Sequence, residues 1–249
     1  MKQDKDFIFG IRPVIEAINS GKNIDKLMIR KGLKGELYYE LMDLVKQFEI
    51  PVQIVPNERI NRVTPKNHQG VLAFISPIEF QNIEQILPSL YEKGKVPFII
   101  MLDKVTDVRN FGAISRTAEC AGVDAVIIPD KGSARISADA VKTSAGALHN
   151  VPVCRVKSLT KTIRFLQDSG VQIIAATEKA SDYYYQVDFT MPTAILMGAE
   201  DRGVAIEYLK ICDKMVKIPV FGEIESLNVS VAASILIYEA VKQRLNLSL

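Results

Sequence analysis

Six short apolar runs, PFIIML, DAVIIP, VPVCRV, VQIIAAT, TAILMG and KMVKIP, recur between residues 97 and 219, and most of the segments between them can be helical. A strand apolar on both faces has to be covered on both faces, and alternation with helices is how a mainly parallel sheet achieves this. The expected fold class is therefore α/β. Ligands in such sheets bind beyond the carboxyl ends of the strands, so the loops to inspect follow Leu102, Thr177, Met197 and Ile218.

Residues 1–76 carry the same alternation on a smaller scale. IRPVIEAINSG and GELYYELMDLVKQFE have apolar positions at helical spacing, DKLMIR and PVQIV are strand-like, and NHQGVLAFIS closes the segment with a turn at Gly70 before a strand. Residues 77–96 hold three acids, two lysines, Pro88 and Gly94 around a short apolar patch, the composition of a connector with about one helical turn. The expected organisation is a small α/β domain over 1–76, a linker over 77–96 and a parallel-sheet domain over 97–249.

Several function classes are excluded by composition. No stretch approaches the roughly 20 apolar residues of a membrane helix, and the opening MKQDKDFIFG lacks a signal peptide's apolar core, so a cytoplasmic protein without a membrane partner is expected. Cys120, Cys154 and Cys212 are far apart in apolar patterns, which suggests buried thiols. With only His68 and His149 beside them, no metal site is expected. The net charge of +2 announces no polyanion partner, although 12 basic side chains face 9 acidic ones within residues 1–76.

Three loops of the larger domain are unusually polar. In DVRNFGAISRTAECAG, Asn110 suits a helix cap, and Arg116 sits among small residues that leave room for a phosphate. GAEDRG at 198–203 lacks the Lys and Ser or Thr of a Walker A loop, and no strand leads into a dinucleotide-binding glycine turn. In IPVFGEIESLNVSVAAS, Ser226 and Asn228 are both good caps for a helix over about 229–243, which is expected to be amphipathic. Ala232, Ala233 and Ser234 let another segment approach closely.

Taken together, NFGAISRTA, ILMGAEDRG and IPVFGEIESLNVSVA resemble the three motifs of the SpoU or TrmH group of SPOUT RNA methyltransferases. FGIRPVIEAI and NHQGVLAF are similar to the substrate-binding domain of the RlmB-like branch, so the resemblance spans nearly the whole chain. Ala199 departs from the glycine more common before the motif glutamate. The resemblance implies a SPOUT domain with a deep trefoil knot, preceded by an L30e-like substrate-binding domain. It implies transfer of a methyl group from S-adenosylmethionine to a ribose 2′-hydroxyl of RNA, in RlmB-like members a guanosine of large-subunit (23S) ribosomal RNA, free or in an assembly intermediate. It assigns catalysis to Arg116, supported by Asn110, Glu200, Ser226 and Asn228, and cofactor binding to Thr177, Gly198, Ile218, Pro219 and Leu227. It also implies a homodimer.

A ribose hydroxyl must shed its proton as it attacks, and an arginine is a poor base, so proton removal by Arg116 or through it stays open. Arg12, Arg30, Lys31, Lys34, Lys66, His68 and Gln69 are the candidate RNA contacts of the small domain. Two alternatives stand beside this reading. One is methylation of a transfer-RNA ribose or a ribosomal adenosine; the other is a non-enzymatic RNA-binding protein, against which the retained motif residues argue.

Overall fold

The computed structural model describes residues 7–246, so MKQDKD at the start lies outside the described residues. Backbone contacts divide the chain into two compact units, 1–79 with 136–138, and 80–135 with 139–249.

The first unit contains β1 (Phe7–Phe9), α1 (Ile11–Asn19), β2 (Ile24–Arg30), α2 (Glu36–Gln47), β3 (Val52–Val55), α3 (Asn57–Asn61) and β4 (Val71–Ile75). Its strands lie in the order β1-β4-β2-β3; β4 is antiparallel to both neighbours, and β2 and β3 run parallel. Helical spacing brings Val14, Ile15 and Ile18 of α1 and Leu41 and Val45 of α2 onto Leu27, Ile29, Val71 and Ala73, which forms the core of this unit.

The second unit contains α4 (Ile83–Glu92), β5 (Phe98–Leu102), α5 (Val108–Cys120), β6 (Ala125–Pro129), α6 (Ala138–Thr143), β7 (Val153–Val156), α7 (Leu159–Asp168), β8 (Gln172–Ala176), β9 (Asp182–Tyr183), β10 (Thr193–Met197), α8 (Ile206–Leu209), β11 (Lys214–Lys217) and α9 (Val229–Asn246). Seven strands pair in the order β7-β6-β5-β10-β8-β11-β9, and every pairing is parallel. The central strands explain the continuous apolar runs, because all five residues of β5 and all five of β10 are buried. Ile99, Met101, Ala194 and Leu196 face Ile83 and Leu87 of α4 and Ile163 and Leu166 of α7. Each such side chain contributes on the order of 2 kcal/mol by leaving water.

Several expectations need correction. The stretch 77–96 holds ten residues of helix, not one turn: Asn82 accepts a hydrogen bond from the Glu84 N–H, and Ile83, Leu87 and Leu90 bury one face despite Pro88. Asn110 does not cap α5. Asp107 does, because its Oδ1 accepts from the N–H groups of both Arg109 (2.7 Å) and Asn110 (3.0 Å), which places Asn110 inside the first turn with its side chain free for other partners. Cys154 is buried, but Cys212 is only partly so, and Cys120, at the last position of α5, is exposed. Helix α9 extends to Asn246 and is not cleanly amphipathic: Ala233, Leu236, Ile237 and Ala240 are buried, while Val231, Tyr238 and Leu245 form a second, exposed apolar stripe at seven-residue spacing. Small residues do allow close packing, with Ser234 of α9 and Thr117 of α5 hydroxyl to hydroxyl at 3.1 Å. No described helix is long and apolar enough to cross a membrane.

Candidate active site

Because β5, β10, β8 and β11 are parallel neighbours, the loops that follow them leave the same edge of the sheet. Residues distant in sequence meet there. Asn110 Nδ2 donates to Glu200 Oε1, Asn228 Nδ2 donates to the same oxygen at 2.8 Å, and Asn228 Nδ2 also reaches Asn110 Oδ1 at 3.1 Å. Asn228 Oδ1 in turn accepts from the Ser230 N–H (2.9 Å) and hydroxyl (2.6 Å), which caps α9. One carboxylate thus ties together the start of α5, the GAEDRG loop and the start of α9. A charge-assisted bond is roughly twice as strong as a neutral one, so Glu200 is the fixed centre of this network.

The GAEDRG loop is pinched at its base. Gly203 N donates to Ala199 O at 2.8 Å, and a Cβ on Gly198 would lie 1.9 Å from the Gly203 carbonyl carbon, so only glycine fits. Asp103, just beyond β5, grips both feet of this loop: its backbone N–H donates to Met197 O (2.8 Å), and its carboxylate Oδ2 accepts from the Ala205 N–H (2.9 Å). Asp103 is buried and its Oδ1 has no hydrogen-bond partner among the described residues; burial pushes its carboxyl above the usual carboxylate range, with the Ala205 N–H and Lys104 pulling the other way. Neither Asp103 nor Asp107 was singled out by sequence reasoning. The signal for Asp107 is its place three residues before Asn110, directly ahead of a helical pattern.

Between the loops after β5 and β10 lies a cavity of about 230 Å³ lined by Lys104, Thr106, Asp107, Asn110, Glu200 and Asp201. Arg116 is exposed on α5, and neither it nor Ser226, exposed in the loop before α9, joins the Asn110–Glu200–Asn228 network. Thr177 is buried after β8, its N–H donating to Val216 O at 2.9 Å. Ile218 and Pro219 are half-buried after β11, and Leu227 is exposed. The same loop presents Phe221 at 95% exposure.

In the first unit Arg12, Arg30, Lys31, Lys34, Lys66 and Gln69 are exposed. Gln69 Oε1 accepts from the Ile11 N–H (3.2 Å) at the start of α1, and Arg30 packs against Gly70, so the turn 68–70 brings Gln69 and Arg30 together beside the start of α1. His68, the remaining candidate contact, is only 6% exposed, with Nδ1 accepting from the Gly70 N–H (3.0 Å) and Nε2 bonded to Asn61 Oδ1 (2.7 Å), so it shapes the turn from inside. Among the described residues no three His, Cys, Asp or Glu side chains gather as metal ligands.

Residues 97–238 match the SpoU rRNA Methylase family, and residues 7–81 match the family described as RNA 2′-O ribose methyltransferase substrate binding. A Staphylococcus saprophyticus protein named for the TrmH family of tRNA/rRNA methyltransferases is 36% identical over 237 residues, covering 95% of each chain. Bacillus subtilis YacO, named for the same family, is 31% identical over 245 residues and 98% of each chain. The AdoMet-bound rRNA methyltransferase of Sinorhizobium meliloti superposes with a TM-score of 0.61 at 25% identity, covering 95% of this chain and 86% of the other.

Proposed function

Since the chain belongs to the SpoU methylase family, we propose that it transfers a methyl group from S-adenosylmethionine to the 2′-hydroxyl of a guanosine in 23S ribosomal RNA. The observation that carries this reading is the Asn110–Glu200–Asn228 network, which joins all three motif loops at the carboxyl edge of the sheet. The site suits such a cofactor: the loops that carry Gly198, Thr177 and Ile218–Leu227 follow the adjacent parallel strands β10, β8 and β11, and Thr177, Gly198, Ile218, Pro219 and Leu227 would hold it. When bound, S-adenosylmethionine supplies an electrophilic methyl group.

The protein's own residues have three tasks. Glu200 holds the Asn110 and Asn228 amides, and with them two helix starts, in one arrangement, so little reorganisation remains for the transition state. The Arg116 guanidinium, exposed and outside that network, takes an RNA phosphate and stabilises the oxyanion developing on the ribose; Ser226 assists from the loop before α9. In the first unit Arg12, Arg30, Lys31, Lys34, Lys66 and Gln69 position the RNA backbone, with His68 keeping their turn in shape.

The domain roles follow: RNA binding by about 1–76, a linker over 77–96, and catalysis by 97–249, with the C-terminal segment threaded as a trefoil knot. The second apolar stripe of α9 supports a homodimer, since Val231, Tyr238 and Leu245 would otherwise stay in water. We place the protein in the cytoplasm with its RNA substrate. Arg116→Ala should abolish transfer while S-adenosylmethionine affinity stays within about threefold of the parent. Near-full turnover by that variant would sink the assignment. Because the relatives are named for tRNA as well as rRNA, transfer RNA is the second substrate to try.

A further inference from the structure

The triplet Tyr183, Tyr184 and Tyr185 has no part in the reaction just described, yet its rings are ordered. Tyr183 and Tyr185 stack with centroids 5.5 Å apart and planes 9° from parallel, and Tyr184 meets Tyr185 edge-on at 5.2 Å. Lys217 Nζ stands over the Tyr183 ring, 5.1 Å from its centroid. Tyr183 pairs with Lys217 across β9 and β11, so the stack sits at the sheet edge, one residue before the Ile218–Pro219 loop assigned to the cofactor. Tyr183 is braced from below, where Gln186 Oε1 accepts its N–H at 2.8 Å. Tyr185, at the far end, is 51% exposed. The stack therefore combines a cation close to the Tyr183 ring with a half-exposed Tyr185 ring.

From this geometry we infer that Tyr183, Tyr185 and Lys217 form a stacking platform for an unpaired nucleobase of the RNA, next to the one whose ribose is methylated. The inference rests on the RNA methyltransferase reading and extends it to how the strand is held. Duplex RNA shows its 2′-hydroxyls along the shallow minor groove, but a ribose that enters between loops at the carboxyl edge is more easily supplied by an unpaired strand, whose bases, freed from their neighbours, gain a flat partner by stacking. A rigid pair of tyrosines supplies one at little entropic cost, and the lysine is placed for the adjoining phosphate. Aromatic stacking accepts any base, so the platform adds affinity for single strands without selecting sequence.

The test uses the full-length protein and a fluorescein-labelled 12-nucleotide single-stranded oligoadenylate, with binding read by anisotropy and a fully paired RNA hairpin measured in parallel. Tyr185→Ala should weaken single-strand binding about 5- to 150-fold and leave hairpin binding unchanged. Tyr185→Phe should bind like the parent. Tyr185→Leu, which keeps the apolar bulk without a π-face, should resemble the alanine variant. Unchanged binding by Tyr185→Ala overturns the platform, as does equal weakening by Tyr185→Phe, which would mean a hydroxyl contact. A change in sedimentation of Tyr185→Ala would assign the surface to a second copy of the chain and overturn it likewise. The oligonucleotide assay needs no methyl transfer: Tyr185-dependent binding by a protein that transfers nothing would sink the methyltransferase reading alone, and transfer with Tyr185-indifferent binding would sink the platform alone.

Discussion

Adding a single methyl group at Gly198 should disable the site. In Gly198→Ala the new Cβ would lie 1.9 Å from the Gly203 carbonyl carbon, 2.0 Å from Val204 N and 2.3 Å from Gly203 O, all backbone atoms that cannot rotate away. Ordinary contact begins at 3.4 Å, so the feet of the GAEDRG loop must part by about 1.5 Å, the difference between 3.4 and 1.9. That movement breaks the Ala199–Gly203 bond and strains the Asp103–Ala205 bond beside it. Two hydrogen bonds at about 1 kcal/mol each, plus about 1–3 kcal/mol for leaving the buried Asp103 carboxylate without its donor, give a cost of about 3–5 kcal/mol. For a chain of this size the melting temperature falls by roughly 6–20 °C. In whatever variant remains folded, Glu200 is displaced by about 1 Å or more, a shift worth about 100-fold in rate. Differential scanning calorimetry, followed by methyl-transfer assays below the new melting temperature, tests both halves. A variant with the parent's melting temperature and activity within twofold would refute the pinch and its role in placing Glu200.

Other consequences are equally direct. Asp103 is raised, so the folded state holds its proton more tightly than the unfolded chain; that contribution is complete below about pH 4 and lost as pH rises through the folded value. Asp103→Asn, which can still accept from Ala205, should therefore gain stability relative to the parent as pH rises above about 4 in urea melts, whereas Asp103→Ala should be weaker by about 2 kcal/mol at neutral pH; a pH-independent Asn difference would contradict this. Burial pushes Cys154 and Cys212 up to about 12, so at pH 8 a thiol reagent should label Cys120 alone in the native protein and all three cysteines after denaturation. The Arg244 guanidinium donates to four carbonyls, those of Val96, Pro97, Phe189 and Met191, at 3.0–3.1 Å and lies over the Phe98 ring. Arg244→Lys should lose the fork geometry and cost about 3 kcal/mol in urea melts; unchanged stability would show that the clamp is dispensable.

The sequence is most legible where physics leaves least choice. The central strands of a parallel sheet must be apolar on both faces, so β5, β6, β8 and β10 appear as uninterrupted runs, and the loops that matter follow from where those runs end. Elements that draw stability from tertiary contacts are harder to see. Helix α4 carries Pro88 inside it, and the two residues of β9 have no periodicity at all. Asn110 and Asp107 are both plausible caps from composition; the choice depends on which side chain reaches two N–H groups, and that frees Asn110 for Glu200. The meeting of Asn110, Glu200 and Asn228, up to 118 residues apart, was available only through the family motifs. The burial of His68 and the exposure of Cys120 are matters of facing, which a residue type alone does not report.

Ribose methylation is tested most directly by one incubation: purified protein, labelled S-adenosylmethionine and unmodified 23S ribosomal RNA, with transfer RNA alongside, followed by nuclease digestion and identification of the labelled nucleoside. The expected product is 2′-O-methylguanosine from the ribosomal RNA, lost in Arg116→Ala. Label on a base, label confined to transfer RNA, or no label with the cofactor demonstrably bound would contradict it.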